Sequence, residues 1–214
     1  MGFYAFFIEL GQEITHTASI PFMKNELKNY LERFINLSDE ESEMALQFFE
    51  YRKFPKNSLI LRSGDICNFE AYIKRGCARE FFTDHKGNEH TVEFAIEDWW
   101  ISEINSFENK VPSQVSIETL EETEMLMLSL ESKTQLLETI PALDRMFRIM
   151  MQRHVHALKK RLLQNMSRNA MDRYQMFLEQ YPTVVQRVPQ YHIASYLGIS
   201  QEFLSKLRKR TMDL

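Results

Sequence analysis

Cysteine is scarce in this 214-residue chain: Cys67 and Cys77 are the two it has. That is too few thiolates for a cluster ligated by four cysteines, whether iron-sulfur or zinc. A structural disulfide is not expected in a reducing compartment either, so both thiols are expected to be buried and free. Long apolar runs are also missing, since no stretch approaches the ~20 residues of a membrane span. The apolar start Met1–Ile8 lacks the basic residues that precede the core of a secretion signal. Phe6 stands where N-myristoylation needs Ser or Thr. These absences lead to an expectation of a cytoplasmic protein with no membrane partner.

Catalytic and metal-binding patterns are absent as well. His154 and His156, two apart on an expected helix, point about 200° from one another and form no clip for a metal ion. His85 and His90 flank the turn Lys86-Gly87-Asn88 and read as solvated loop histidines. No nucleophile-base pair or phosphate-cradling glycine loop occurs, so no enzymatic activity, metal or cofactor is expected.

Apolar residues make up 44% of the chain and aromatic ones 12%, enough to fill the core of one large or two small domains. The formal net charge is -4, yet its distribution is polar. From Arg145 onward there are 13 Lys/Arg against 4 Asp/Glu, whereas residues 1–144 hold 13 basic and 26 acidic groups. A basic segment following an acidic one is the footprint of a unit that meets phosphates, joined to one that does not.

The basic segment ends in R-V-P-Q-Y-H-I-A-S-Y-L-G-I-S-Q-E-F-L-S-K-L-R-K-R from Arg187, which reads as a helix-turn-helix. Ala194 lets two helices approach, Gly198 accepts the positive φ of the turn, and Leu204 packs beneath the second helix. Helical spacing turns Phe203, Leu204 and Leu207 inward and leaves Gln201, Glu202, Ser205, Lys206, Lys209 and Arg210 outside. Gln201 suits adenine, Glu202 the N4 amine of cytosine, and Lys206 guanine. Arg187, Ser200, Ser205, Arg208, Lys209 and Arg210 suit phosphates.

Between Phe54 and Leu130 the rhythm changes to short runs: Ser58–Arg62, Glu70–Lys74, Ala78–Thr83, Thr91–Ala95, Val115–Leu120 and Met125–Leu130. Ser63-Gly64-Asp65, Arg75-Gly76 and Lys86-Gly87-Asn88 supply the turns, which predicts an antiparallel β-roll. A helical stretch, Lys24–Glu50, precedes it, and a second from about Ser132 to Gln164, broken near Pro141, follows. On the second, Leu143, Met146, Met150, Ala157 and Leu158 form an apolar stripe suited to a dimer interface or to the roll itself.

From about Met23 to the C-terminus this order resembles the Crp/Fnr family of bacterial transcription regulators. The resemblance rests on Ile60-Leu61-Arg62-Ser63-Gly64-Asp65, on Tyr72-Ile73-Lys74-Arg75-Gly76, on Gly87-Asn88-Glu89 and on the terminal motif. It implies an α+β fold: a cyclic-nucleotide-binding-type β-roll (jelly roll) with flanking helices, a long dimerisation helix, and a C-terminal winged-type helix-turn-helix. The sequence leaves little or no room for a wing after Arg210. The expected divisions are an N-terminal extension (1–22), a sensor roll (23–138), a dimerisation helix (139–166) and a DNA-binding domain (167–214). The implied partners are a near-palindromic DNA site, a second copy of the chain and RNA polymerase.

One departure from that family matters for the signal. Relatives that bind cyclic AMP use a Gly-Glu pair and then an Arg followed by Ser or Thr for the cyclic phosphate. Here Trp99-Trp100-Ile101-Ser102-Glu103 keeps Glu103 but has Ser102 for the glycine, and Ser113 and Gln114 stand where the arginine and its neighbour would be. A phosphate left without its cation in a partly dry pocket costs on the order of 2–5 kcal/mol, so tight cyclic-nucleotide binding is not expected. Trp99, Trp100, Ser102, Glu103, Ser113 and Gln114 then mark the degenerate pocket of an effector that the sequence does not identify. The competing reading is a signalling module whose helix-turn-helix packs against protein and never engages DNA.

Overall fold

The computed structural model describes residues 27–212. The expected extension over 1–22 and the start of the first helix lie outside them. Helix α1 is seen over 27–32, and α2 spans Asp39–Leu46 behind a capping box in which Ser38 and Glu41 satisfy one another's backbone N–H groups. Eight strands follow: β1 (Glu50–Phe54), β2 (Leu59–Leu61), β3 (Glu70–Arg75), β4 (Ala78–Thr83), β5 (Glu89–Ala95), β6 (Trp100–Ile101), β7 (Ser116–Thr119) and β8 (Thr123–Leu128). The short helix α3 (Ile104–Asn109) lies between β6 and β7. The helices α4 (Leu130–Thr139), α5 (Ala142–Ser167), α6 (Ala170–Gln180), α7 (Val184–Arg187), α8 (Gln190–Leu197) and α9 (Gln201–Met212) complete the described chain.

Two four-stranded antiparallel sheets, β1-β8-β3-β6 and β2-β7-β4-β5, form the roll. Phe54, Leu61, Phe69, Ile73, Ala95, Phe107, Ile117 and Met125 pack between them. Cys67 and Cys77 are buried and free, and burial pushes the Cys77 thiol up to about 12. Gly76 is obligatory where β3 turns into β4, because its φ is +112° and a Cβ there would come within 2.7 Å of the Thr123 backbone.

The expected strands are present, with two additions. β1 occupies the end of the stretch read as helical and pairs in register with β8, Tyr51 opposite Leu126 and Phe54 opposite Thr123. Three of its five residues are charged, so no apolar alternation marked it. The two-residue β6 pairs with β3 through Tyr72 and Trp100. Pro141 stands between α4 and α5, at the position just before the first residue of α5.

A second core joins α1, α4 and the start of α5 to the outer face of the first sheet through Leu27, Leu31, Tyr72, Leu126, Leu136, Leu143 and Met146. The third core belongs to α6–α9, yet Cys77, Phe94 and Leu120 of the roll are part of it. Phe94 lies 6.1 Å from both Phe177 and Tyr181 and 5.4 Å from Tyr196, ring centre to ring centre. The helical C-terminal unit is therefore packed directly onto the roll.

Candidate nucleic-acid interface and cavity

The turn between α8 and α9 is built as its sequence demands. Gly198 is left-handed, with φ +65°, and Ile199 donates back to the Ala194 carbonyl at 3.0 Å. Ser200 begins the next helix by accepting the Phe203 N–H at 3.2 Å. Ala194, Leu197, Leu204 and Leu207 are buried where the two helices meet. Gln201, Glu202, Ser205, Lys206, Lys209 and Arg210 are exposed on one polar and basic face, with Arg208 half-buried at its edge. Phe203 is a correction: expected to turn inward, it is 42% exposed, because Leu204 and Leu207 already fill the seam with α8.

Arg187 is placed elsewhere. Its guanidinium pairs with Glu97 at 2.8 Å and with Glu121, on the two loops that end β5 and precede β8. Those carboxylates hold its charge, and Glu97 also accepts the Gly76 N–H. Arg187 thus ties the C-terminal unit to the roll, away from the exposed face of α9.

A second tie runs along β5, an edge strand whose outer backbone groups would otherwise be left without partners. The Ser195 hydroxyl of α8 accepts the Thr91 N–H and donates to the Glu89 carbonyl, both at 2.8 Å. Arg161 of α5 donates to the carbonyls of Val92, Thr91 and Tyr196 and stacks over the Tyr196 ring, 3.9 Å from its centre. Nothing in the sequence pattern signals these contacts, since Ser195 and Arg161 read as ordinary helix-surface residues.

The stripe expected on α5 divides. Leu143 and Met146 are buried in the chain's own core, Met150 packs against that core, and Ala157 lines a cavity. Ala157 and Leu158 are the two of the five that are exposed, Leu158 at 42%, and Leu158 lines the same cavity. The apolar face that α5 presents outward runs through Met151, Val155, Leu158, Leu162 and Met166, with Leu163 beside it, all 39–77% exposed. The correction has a packing cause, because the first two turns of α5 already cover the roll.

A cavity of about 680 Å³ lies where the two sheets part, between the edge strands β5 and β6, helix α5, and Tyr181 and Tyr196 of the C-terminal unit. Trp99, Trp100 and Ser102 line it. Glu103, Ser113 and Gln114 are outside its lining. The Glu103 carboxylate caps α3 by accepting from Asn105 and Ser106, Ser113 is buried and donates to the Val115 carbonyl, and Gln114 is exposed. Phe94 and Phe107 are packed into cores.

The sequence reading missed the acidic side of this cavity. Glu80 and Glu93, directly opposite on β4 and β5, both line it. Burial, then Glu93 and Glu103, pushes the Glu80 carboxyl up to about 8. Burial raises Glu93 as well, opposed by His154, whose Nδ1 lies 3.8 Å away, and by Arg161. A period-2 alternation that brings two glutamates to one face of paired strands was the available signal.

A different group of potential metal ligands, Glu89, Glu118 and His192, already surrounds a cation. The buried Arg79 guanidinium pairs with Glu118 at 2.6 Å and with Glu89. Burial, then Arg79, pushes the His192 imidazole down to about 3.

Comparison with protein families matches residues 51–140 to the cyclic nucleotide-binding domain. Among solved structures, the c-di-GMP-responsive global regulator CLP of Xanthomonas campestris is 17% identical, with a TM-score of 0.66 over 82% of this chain and 92% of that one. FixK2 of Bradyrhizobium japonicum is 14% identical, with a TM-score of 0.67 over 77% and 85%. A putative Crp/Fnr regulator of Eubacterium rectale is 15% identical, with a TM-score of 0.64 over 86% and 88%. No curated protein matches the sequence.

Proposed function

Since residues 51–140 form a cyclic nucleotide-binding domain and the described chain has the fold of the Crp/Fnr transcription regulators, we propose that the protein is a homodimeric, sequence-specific DNA-binding regulator that does not respond to cyclic AMP. The observation that carries the reading is α9: a capped helix after a left-handed glycine, with Gln201, Glu202 and Lys206 exposed together and Lys209 and Arg210 in its last turn. Its first turns enter the major groove, where Gln201, Glu202 and Lys206 meet base edges. Ser200, Ser205, Arg208, Lys209 and Arg210 meet phosphates.

The outward stripe Met151, Val155, Leu158, Leu162 and Met166 supports pairing of α5 with the same helix of a second copy. Its first three steps, of 4, 3 and 4 residues, follow a coiled-coil seam. Two copies of α9 then address half-sites about 34 Å apart, and RNA polymerase is the further partner. The signal is not cyclic AMP, because no lysine or arginine stands among Ser102, Glu103, Ser113 and Gln114, and Glu103 is spent on capping α3.

Selection of bound duplexes from a random pool, without ligand and with cyclic AMP, tests this function. A two-fold-symmetric motif in both selections is expected, and enrichment with the nucleotide alone overturns the account of the signal. Affinity for the selected site should fall steeply with salt, as neutralisation of about six to ten phosphates requires. Absence of any motif and of any salt slope would favour a module that binds protein through this face.

A further inference from the structure

The cavity at the mouth of the roll holds two facing carboxyl groups, Glu80 and Glu93, that the regulator reading does not use. Its cationic neighbours are engaged. Lys133 pairs with Glu70 and Glu108, each at 3.0 Å, and Arg33 with Asp98 at 2.7 Å. Arg161 donates to three backbone carbonyls, and Arg153 lies over the Phe34 ring, 4.9 Å from its centre. Glu80 has no hydrogen bond or ion pair among the described residues, and Glu93 has the His154 ring at 3.8 Å and the more distant charge of Arg161. Two carboxyl groups opposite each other on adjacent strands repel when ionised. Such a pair in a walled space is stabilised by a cation between the groups.

The walls supply the rest of a binding site. Trp99, Trp100, Tyr181 and Tyr196 line the same space, and aromatic faces attract cations while covering an apolar body. A volume of about 680 Å³ matches a small organic molecule and exceeds what a bare metal ion needs. We propose that this cavity binds an organic cation, an ammonium or guanidinium group on an apolar body, with its charge between Glu80 and Glu93 and its body against Trp99 and Trp100.

Both tryptophans of the chain line the cavity, so their fluorescence reports on the site without DNA. Purified full-length protein would be titrated with phenethylamine, phenethyl alcohol and phenylacetate, which match in size and differ in charge. Saturable change with the amine at the lowest concentration, then the alcohol, then the carboxylate, is expected. Glu80→Gln and Glu93→Gln, each close in shape to the parent, should weaken the amine about tenfold or more and leave the alcohol unchanged, because they remove charge-assisted hydrogen bonds. Equal or tighter binding of phenylacetate, no saturable change with any probe, or an unaltered amine affinity in both variants would overturn the proposal. Any of these results leaves the DNA reading standing, since that is decided by the selection experiment.

Discussion

At the scale of residues, exposure on α9 separates the groups free to meet the proposed DNA partner from those committed elsewhere. Lys206 is exposed beside Gln201 and Glu202, so Lys206→Ala should reduce discrimination at one base pair by ~1–3 kcal/mol. Lys209→Ala should instead weaken binding evenly across sequences and lower the salt slope by about one. Competition binding over single-base variants of the selected site distinguishes them, and a uniform loss for Lys206→Ala would make it a phosphate contact. Glu80 has a different consequence. Its folded carboxyl titrates at about 8, above the ordinary 4.5, so ionisation opposes folding and stability declines as the pH rises between those values. Glu80→Gln should therefore match the parent below about pH 4.5 and become progressively more stable than it toward pH 8 in urea unfolding. A constant difference across that range would show that the carboxyl is not shifted.

At the scale of elements, α5 serves two faces. Its early turns seal the roll with Leu143 and Met146, and its later turns expose Val155, Leu158, Leu162 and Met166. An apolar stripe of this length on a helix surface is what a second helix would cover. Leu162→Glu, at a site 60% exposed, should leave the fold intact and shift the proposed dimer toward monomer in sedimentation equilibrium, with loss of DNA affinity. An unchanged dimer would place the interface elsewhere. Leu143→Ala should instead destabilise the monomer by about 2–5 kcal/mol, as for a leucine truncated in a core. The sequence stripe had combined both faces, because residues three and four apart on a helix share a side whether that side meets the same chain or another.

At the scale of the molecule, the roll and the helix-turn-helix are joined by few but directional contacts. Ser195 and Arg161 complete the β5 edge, and Arg187 spans Glu97 and Glu121. Arg187→Ala should cost about 1–3 kcal/mol at this junction, and hydrogen exchange should rise in α7 and α8 more than in β3 or β8. Exchange rising equally throughout would mean that the bridge stabilises the whole fold. This junction also bounds the cavity, since Glu80 and Glu93 come from the roll, His154 from α5, and Tyr181 and Tyr196 from the C-terminal unit. A ligand held there touches all three parts, so its occupancy has a direct route to the position of α8.

The sequence by itself determined what is local. Turn glycines, alternating apolar runs and the Pro141 break are set by backbone sterics and side-chain period, and they placed the roll, the long helix and the Gly198 turn. The free cysteines and the exposed polar face of α9 were legible for the same reason. Tertiary structure alone decided which side of α5 is free, that Arg187 is held by Glu97 and Glu121, that Phe203 is exposed, and that Glu80 and Glu93 meet in a cavity. Each of these depends on residues far apart in the chain, Arg187 and Glu97 being 90 positions apart. Burial and charge compensation at such a place are properties of the packed molecule, and no periodicity within one segment records them.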